Sequence, residues 1–156
     1  MTGRRRCMGC SGLSLHQASR EGEGLCAVQH NGLIMLVDGD REFHKSFKSA
    51  LPRHLSLVSA YNPSEALAIA SKRKLRGVVL SLHTPLSFVG GERSPGLDML
   101  QRIRYCSDER LPVVAVVDSD IGRLLREYIM TWADGIIRKA GDMRAFVHDV
   151  EKCLMR

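Results

Sequence analysis

Residues 77–85 read GVVLSLHTP, and this stretch is the strongest indication of the fold. Its apolar run, Val78-Val79-Leu80, stops at Ser81 and is followed at once by polar residues and a proline. An uninterrupted, partly β-branched run of this kind is typical of a parallel strand that is buried on both faces. In open α/β sheets such strands end at a crevice where ligands bind. Ser81 is therefore predicted to lie at that crevice.

Four more apolar runs occur between residues 33 and 137, and amphipathic helical patterns separate them. The runs are LIMLV (33–37), LSLV (55–58), VVAVV (113–117) and GII (135–137). Five strands that alternate with five helices predict an α/β fold with a doubly wound parallel sheet. The common strand order for such a chain is 2-1-3-4-5, which places a site at the carboxyl ends of strands 1 and 3.

The helical stretches carry start signals and apolar stripes. Asp40 and Asp142 are the predicted N-caps of the first and fifth helices. The second helix opens with the sequence NPSE (62–65), in which an N-cap, a proline and a glutamate form a capping box. The fourth helix has the longest predicted stripe, which comprises Ile121, Leu124, Leu125, Tyr128, Ile129 and Trp132.

Composition divides the chain of 156 residues after residue 32. Residues 1–32 are rich in glycine, serine and arginine and lack steady periodicity, which predicts a flexible tail. Residues 33–156 are long enough for one domain with a hydrophobic core. The net charge is +6, of which the tail contributes +2 from four arginines and two glutamates. The remaining +4 is spread along the sequence, so nucleic acid is not the expected partner.

The same inspection excludes several classes of protein. No apolar run approaches the roughly 20 residues that span a bilayer, and no apolar signal-peptide segment follows the N-terminal arginines. The five cysteines are an odd number, and Cys106 and Cys153 fall in predicted helices. This usage favours a reducing compartment over a disulfide framework. We therefore expect a cytoplasmic protein without a membrane segment.

The tail contains a candidate zinc site of its own. The candidate ligands are Cys7, Cys10, Cys26 and His30, with His16 as an alternative. Their spacing is compatible with a tetrahedral zinc ion. A single CxxC pair is weak evidence for such a site, and a flexible extension without metal is the interpretation favoured here.

Residues 33–155 resemble the receiver domain of bacterial two-component response regulators, over about four-fifths of the chain. IMLVDGD (34–40) resembles the opening strand of this family, which normally ends in two acids. VVLSLHTP (78–85) resembles its third strand, where the phosphoacceptor aspartate stands four residues before a proline. LPVVAVVD (111–118) resembles the fourth strand, and WADGIIRKA (132–140) resembles the stretch that holds the family's lysine. The resemblance implies a flavodoxin-like fold of five βα units.

The resemblance also places the family's active-site positions on five residues of this sequence. Asp38 matches the first acid, whereas the second acid, normally the direct metal ligand, falls on Gly39. Ser81 occupies the phosphoacceptor position. Val117 stands where the family has a switch hydroxyl, and Lys139 matches the family's lysine. The implied pocket is degenerate.

These replacements bear directly on the chemistry that the resemblance implies. Phosphoryl transfer to a receiver needs a carboxylate nucleophile and a Mg²⁺ ion held by hard oxygen ligands. A serine supplies a neutral hydroxyl instead, and the substitution also removes a metal ligand. We therefore expect a pseudo-receiver that is not an enzyme, holds no Mg²⁺ and binds a protein partner independently of phosphorylation. Its expected setting is a two-component or phosphorelay-type pathway.

Three alternatives stay open at this point. In the first, Asp40 and Asp118 are displaced acids that hold Mg²⁺ in an atypical receiver, which still accepts phosphate. In the second, Ser81 and His83 are a nucleophile and a base, since alternate residues of a strand share a face. In the third, the tail makes the chain a zinc- or nucleic-acid-binding adaptor.

The resemblance further implies an interaction face, formed by the fourth helix, the fifth strand and the fifth helix. We expect a protein partner there, and a second copy of this chain is one candidate. Basic side chains dominate this face, and such a face selects partners by charge. Its candidate residues are Arg123, Arg126, Glu127, Ile136, Arg138 and Arg144.

Overall fold

Five parallel strands form one sheet in the order β2-β1-β3-β4-β5, which confirms the predicted α/β fold and strand order. The structure, a computed structural model, describes residues 32–82, 94–139 and 141–155. The tail with its candidate zinc ligands lies outside the described residues, and so does His83. The strands are β1 (Leu33–Val37), β2 (Ser56–Ala60), β3 (Gly77–Leu82), β4 (Val113–Val117) and β5 (Gly135–Arg138).

Five helices connect and cover these strands. They are α1 (Arg41–Ala50), α2 (Pro63–Lys72), α3 (Pro95–Cys106), α4 (Arg123–Trp132) and α5 (Met143–Leu154). Alternate strand residues face two helical layers. In β1, Ile34 and Leu36 pack with α1 and α5, whereas Met35 and Val37 pack in the core that includes α2, α3 and α4. This burial on both faces explains the uninterrupted apolar runs of the sequence.

The predicted N-caps are confirmed, with one difference in detail. Asp40 accepts hydrogen bonds from the backbone of Glu42 at 3.0 Å and of Phe43 at 3.4 Å, and Asp142 caps α5 in the same way. At α2, the Asn62 side chain accepts from the Glu65 amide at 3.0 Å. The Glu65 carboxylate, however, accepts from the amide of residue 61, one position before the cap. In a standard capping box the glutamate accepts from the amide of the N-cap residue itself, whereas here it accepts from the amide of the preceding residue.

The predicted apolar stripe of α4 is too wide. Leu124 is 72% exposed, whereas Ile129 is fully buried and Leu125 packs against the same core. Successive residues point about 100° apart around a helix, so a side chain next to Leu125 turns away from the sheet. The prediction also placed the second strand at residues 55–58, and β2 in fact runs from Ser56 to Ala60.

The helices of the described ranges are short, and none combines the length and the apolar character that a membrane crossing needs. The longest, α3 and α5, have 12 residues each.

Candidate functional site

The carboxyl edge of the sheet brings three of the predicted pocket residues together. In the parallel pairing of β1 with β3, Val37 lies opposite Leu80, so the next residues along each strand, Asp38 and Ser81, are neighbours. Lys139 follows β5 directly, and its amide donates to the Val117 carbonyl of β4 at 2.7 Å. The sheet thus assembles the site from three strand ends, as the strand order predicts.

Asp38 is the centre of this cluster, and its carboxylate is already engaged. The Ser81 hydroxyl donates to Asp38 Oδ2 at 2.6 Å, and the Asp40 amide donates to Oδ1 at 2.8 Å. The Lys139 ammonium lies 3.3 Å from Oδ2. The Asp38 residue is only 2% exposed, and a carboxylate buried this deeply requires such donors.

The environment of Asp38 favours its ionised form. Burial alone raises the pKa of this carboxyl, because desolvation penalises the charged state. The hydrogen bonds from Ser81 and from the Asp40 amide act in the opposite direction, as does the charge of Lys139. Together they outweigh burial and hold the pKa of Asp38 below its ordinary value of 3.8.

Lys139 has a second neighbour that its motif does not indicate. Its ammonium lies 3.8 Å from the ring centroid of Phe43 on α1, which is within cation–π range. The ammonium is therefore held between a carboxylate and an aromatic ring. This geometry links α1 to the end of β5 without any ligand.

His44 is a functional neighbour that sequence reasoning missed. It is 3% exposed, and its Nε2 lies 2.7 Å from the Asp38 carbonyl oxygen while its Nδ1 lies 2.8 Å from Ser59 Oγ. Because a carbonyl oxygen only accepts, Nε2 carries a proton. The imidazole therefore fixes the backbone that presents Asp38. Its only signal in the sequence is its place next to Phe43, a residue of the apolar face of α1.

The other two predicted pocket positions, Gly39 and Val117, carry neither an acid nor a hydroxyl. Gly39 is exposed and has no side chain, although a Cβ there would meet nothing closer than the Tyr61 carbonyl oxygen at 3.8 Å. Its backbone does not adopt the left-handed conformation, so the position does not require glycine. Val117 is buried in β4 and carries no hydroxyl.

The donor set at this edge does not fit Mg²⁺, which prefers an octahedral shell of oxygens with one or two protein carboxylates free to bind it. Asp38 is engaged as described, and Asp40 uses Oδ1 as the α1 cap. Asp118 is exposed after β4. Within the described ranges, no group of three or more His, Cys, Asp or Glu side chains is placed to hold a metal ion.

The candidate interaction face carries charges of which some are paired with described residues and others are not. Arg123 lies 3.0 Å from Glu127, and Arg138 lies 3.0 Å from Asp120. Arg126 is exposed, as is Arg144 at the start of α5. Ile136 is half-buried in β5. These residues are on the elements where the sequence places them.

Comparison with known proteins finds similarity in structure alone. No protein-family model matches the chain, and no curated protein matches it either. Among solved structures, a response regulator from Thermotoga maritima superposes with a TM-score of 0.64 at 21% identity, covering 80% of this chain and 98% of that one. A CheY-like receiver domain protein from Methanospirillum hungatei gives 0.63 at 16% identity, with coverage of 80% and 94%.

A third neighbour is a two-component response regulator from Clostridium difficile, with a TM-score of 0.63 at 19% identity. The superposition covers 80% of this chain and 97% of that one. Identities this low show the fold and nothing finer. The described residues therefore have the flavodoxin-like fold of CheY-like receiver domains.

Proposed function

We propose that residues 33–156 form a signalling module of the two-component or phosphorelay type that receives no phosphoryl group and acts by binding a protein partner. The observation that carries this proposal is the bond from Ser81 to Asp38. At the position where receivers are phosphorylated, this chain has a hydroxyl that serves to satisfy a buried carboxylate. The module is proposed not to be an enzyme.

The protonation state of Asp38 argues against a reactive serine. A hydroxyl becomes nucleophilic when a nearby base removes its proton. Asp38 is the group that the Ser81 hydroxyl faces, and its lowered pKa makes it a weak base. Ser81 is thus expected to stay protonated.

The charge balance of the pocket supports the absence of a divalent cation. Lys139 already neutralises the Asp38 carboxylate, and a metal ion would compete with its ammonium for that carboxylate. A cation in the pocket would also lie close to the ammonium and be repelled by it. The second carboxylate that usually offsets this repulsion is missing at Gly39. The signal is therefore proposed to depend on the domain's surface.

Restoring both acids tests this proposal. The full natural chain, incubated with Mg²⁺ and acetyl phosphate, is expected to show no phosphoryl adduct in its intact mass. Gly39→Asp combined with Ser81→Asp is expected to gain Mg²⁺-dependent stability, about 1.4 kcal/mol at Mg²⁺ ten times its Kd. Thermal denaturation with and without Mg²⁺ measures the gain, and a Cβ at Gly39 would make only an ordinary contact, 3.8 Å from the Tyr61 carbonyl oxygen.

The natural chain is the control for the restored variant, and its melting curve should not move with Mg²⁺. A stable adduct on the natural chain would contradict the proposal. Loss of that adduct on Asp40→Asn would then identify the chain as an atypical receiver that uses a displaced acid.

The proposed binding surface for the protein partner is the face formed by α4, β5 and α5. Arg126 and Arg144 are exposed cations on this face, and in the described ranges neither contacts a carboxylate. A second copy of this chain is one candidate partner. Sedimentation equilibrium is expected to show self-association of the natural chain that weakens as the salt concentration rises. The variant Arg126→Glu/Arg144→Glu is expected to weaken the association constant by about tenfold. Association that the double variant leaves unchanged would exclude this face.

A further inference from the structure

The amino edge of the sheet, opposite the pocket, carries a concentration of positive charge. β1 lies between β2 and β3, so the segments that precede those two strands flank the start of β1. These segments contain five exposed cations, which we call the amino-edge basic surface. Its residues are Arg53, Lys72, Arg73, Lys74 and Arg76.

Contacts at the start of β1 bring the two segments together. The Arg76 amide donates to the Leu33 carbonyl at 2.8 Å, and the Ser56 amide donates to the Gly32 carbonyl at 2.8 Å. A Cβ on Gly32 would lie 2.9 Å from the Arg76 side chain and 2.9 Å from that of Leu55. The side chains of Arg76 and Leu55 therefore converge over Gly32 from opposite sides. Residues far apart in the sequence share one surface.

The cations of this surface are not neutralised by the described part of the chain. Arg53, Lys72, Arg73 and Lys74 form no ion pair with a described residue. The guanidinium of Arg76 contacts a sulfur, Met155 Sδ, at 2.9 Å. Their positive charges therefore face solvent together.

The acids nearest to these segments along the chain are engaged by other residues. Glu151 pairs with His54, the residue after Arg53, at 3.2 Å. In the loop before β4, Asp108 lies 3.9 Å from Arg110. Within the described ranges, neither acid forms an ion pair with a cation of the amino-edge basic surface.

A helix-capping role does not account for this charge. A cation in the last turn of a helix interacts favourably with the helix dipole, which explains Lys72. Arg73 is the C-cap residue, and Lys74 and Arg76 lie beyond the helix. The interaction with the helix dipole falls off within the last turn, so it does not explain the charges of Lys74 and Arg76.

We propose that the amino-edge basic surface binds the phosphate backbone of a nucleic-acid duplex without reading its sequence. Phosphate binding needs only clustered Lys and Arg, since release of counterions supplies the free energy. A protein interface normally has an apolar or aromatic core in which lysine is depleted. Single strands are normally held by stacking on aromatic rings. This surface contains no aromatic residue, and cations are its common feature.

The cations of this surface are a feature that the even spread of net charge along the chain concealed. Four of the five stand together in the sequence as KRKLR (72–76), and Arg53 stands nineteen positions before Lys72. The pairing of β1 with both neighbours brings the segment of Arg53 to the same edge of the sheet as this run. The proposal is independent of the acid pocket and of the proposed signalling role.

Fluorescence anisotropy of the full chain with a short labelled DNA duplex tests the proposal. We expect binding at about 50 mM salt with a slope of log K against log salt of about −3 to −5, since five cations are available. The variant Lys72→Glu/Arg73→Glu/Lys74→Glu is expected to lose at least about thirtyfold in affinity and to reduce the slope by about 3.

The matched control is Lys45→Glu/Arg102→Glu/Arg123→Glu, which changes the net charge equally. Each of these side chains already lies within 4.0 Å of a carboxylate, on Glu42, Asp98 or Glu127, so a loss of less than about fivefold is expected. Circular dichroism confirms that both variants are folded.

Several results would overturn the proposal. Equal loss in both variants would mean that net charge alone attracts the duplex. Full binding by the first variant would assign the duplex to other residues, such as the arginines at positions 4–6. Tighter binding of single-stranded DNA, of a polyglutamate peptide or of phosphatidylserine vesicles at the same salt would assign the surface to that partner instead.

Discussion

Replacing Asp38 with alanine is expected to lower the free energy of unfolding by about 3 kcal/mol. The change removes the acceptor for Ser81 and for the Asp40 amide, and it leaves the Lys139 ammonium without its carboxylate. Lys139 is 29% exposed in its side chain and is able to turn partly toward water, so the expected loss lies at the low end for a broken buried pair. Urea denaturation at constant m-value measures it.

The control for this variant is Asp120→Ala at the same edge. Asp120 also contacts a cation, Arg138 at 3.0 Å, but its side chain is 89% exposed, so a change within about 0.5 kcal/mol is expected. Adding Lys139→Met to Asp38→Ala should recover part of the loss, because it removes the stranded charge. If Asp38→Ala is as stable as the natural chain, the Asp38 network does not stabilise the fold.

The same carboxylate predicts a dependence of stability on pH. The folded-state pKa of Asp38 lies below its ordinary value of 3.8, so the unfolded chain binds more protons in the range between the two values. The stability contributed by Asp38 is therefore present above about pH 4 and is lost as the pH falls through the folded-state pKa. Asp38→Ala should lack this pH-dependent part of the free energy of unfolding, which denaturation curves at several pH values measure. If the difference in stability between the natural chain and Asp38→Ala stays constant from neutral to acid pH, this prediction is contradicted.

The second large effect is expected at Arg104 on α3, whose side chain is 17% exposed. Its guanidinium donates to the carbonyls of Trp132 and Leu111, each at 2.9 Å, and to the Asp134 carboxylate at 2.8 Å. These groups belong to the end of α4, to the turn between α4 and β5 and to the loop before β4. Arg104→Ala is expected to cost about 3 kcal/mol, because part-buried carbonyls lose charge-assisted hydrogen bonds.

Arg104→Lys should restore little, since a single ammonium does not reproduce the planar fork that reaches these acceptors and the Glu109 carbonyl at 3.3 Å. The control is Arg102→Ala on the same helix. Arg102 pairs with Asp98 at 2.8 Å, but both side chains are about half exposed, so less than about 0.5 kcal/mol is expected. Equal losses for both arginines in urea denaturation would show that the network at Arg104 contributes no more than a surface pair.

Local chemistry made much of the fold predictable. The runs at 33–37 and 113–117 are β1 and β4 with the same bounds, because strands buried on both faces need apolar residues throughout. The N-caps Asp40, Asn62 and Asp142 were predictable because a capping side chain bonds amides two or three residues away. The position of Asp38, Ser81 and Lys139 at one edge followed from the strand order.

Contacts between distant segments were not predictable in the same way. His44 on the Asp38 carbonyl, Phe43 under Lys139 and the Arg104 network all join residues whose spacing carries no pattern. The exposure of Leu124 also escaped prediction, because five apolar residues in α4 satisfy the helical period and only the sheet decides which are covered.

By itself, the sequence determined the elements and the residue types at positions 39 and 81, since these depend on residue type and local spacing, and the strand order is the common one for such a chain. Only the tertiary structure decided that Asp38 is engaged by Ser81 and Lys139 and that the segment of Arg53 shares one edge with the cations at 72–76. The physical reason is that charges and hydrogen bonds act through distance in space, and the pairing of β1 with β2 and β3 sets that distance.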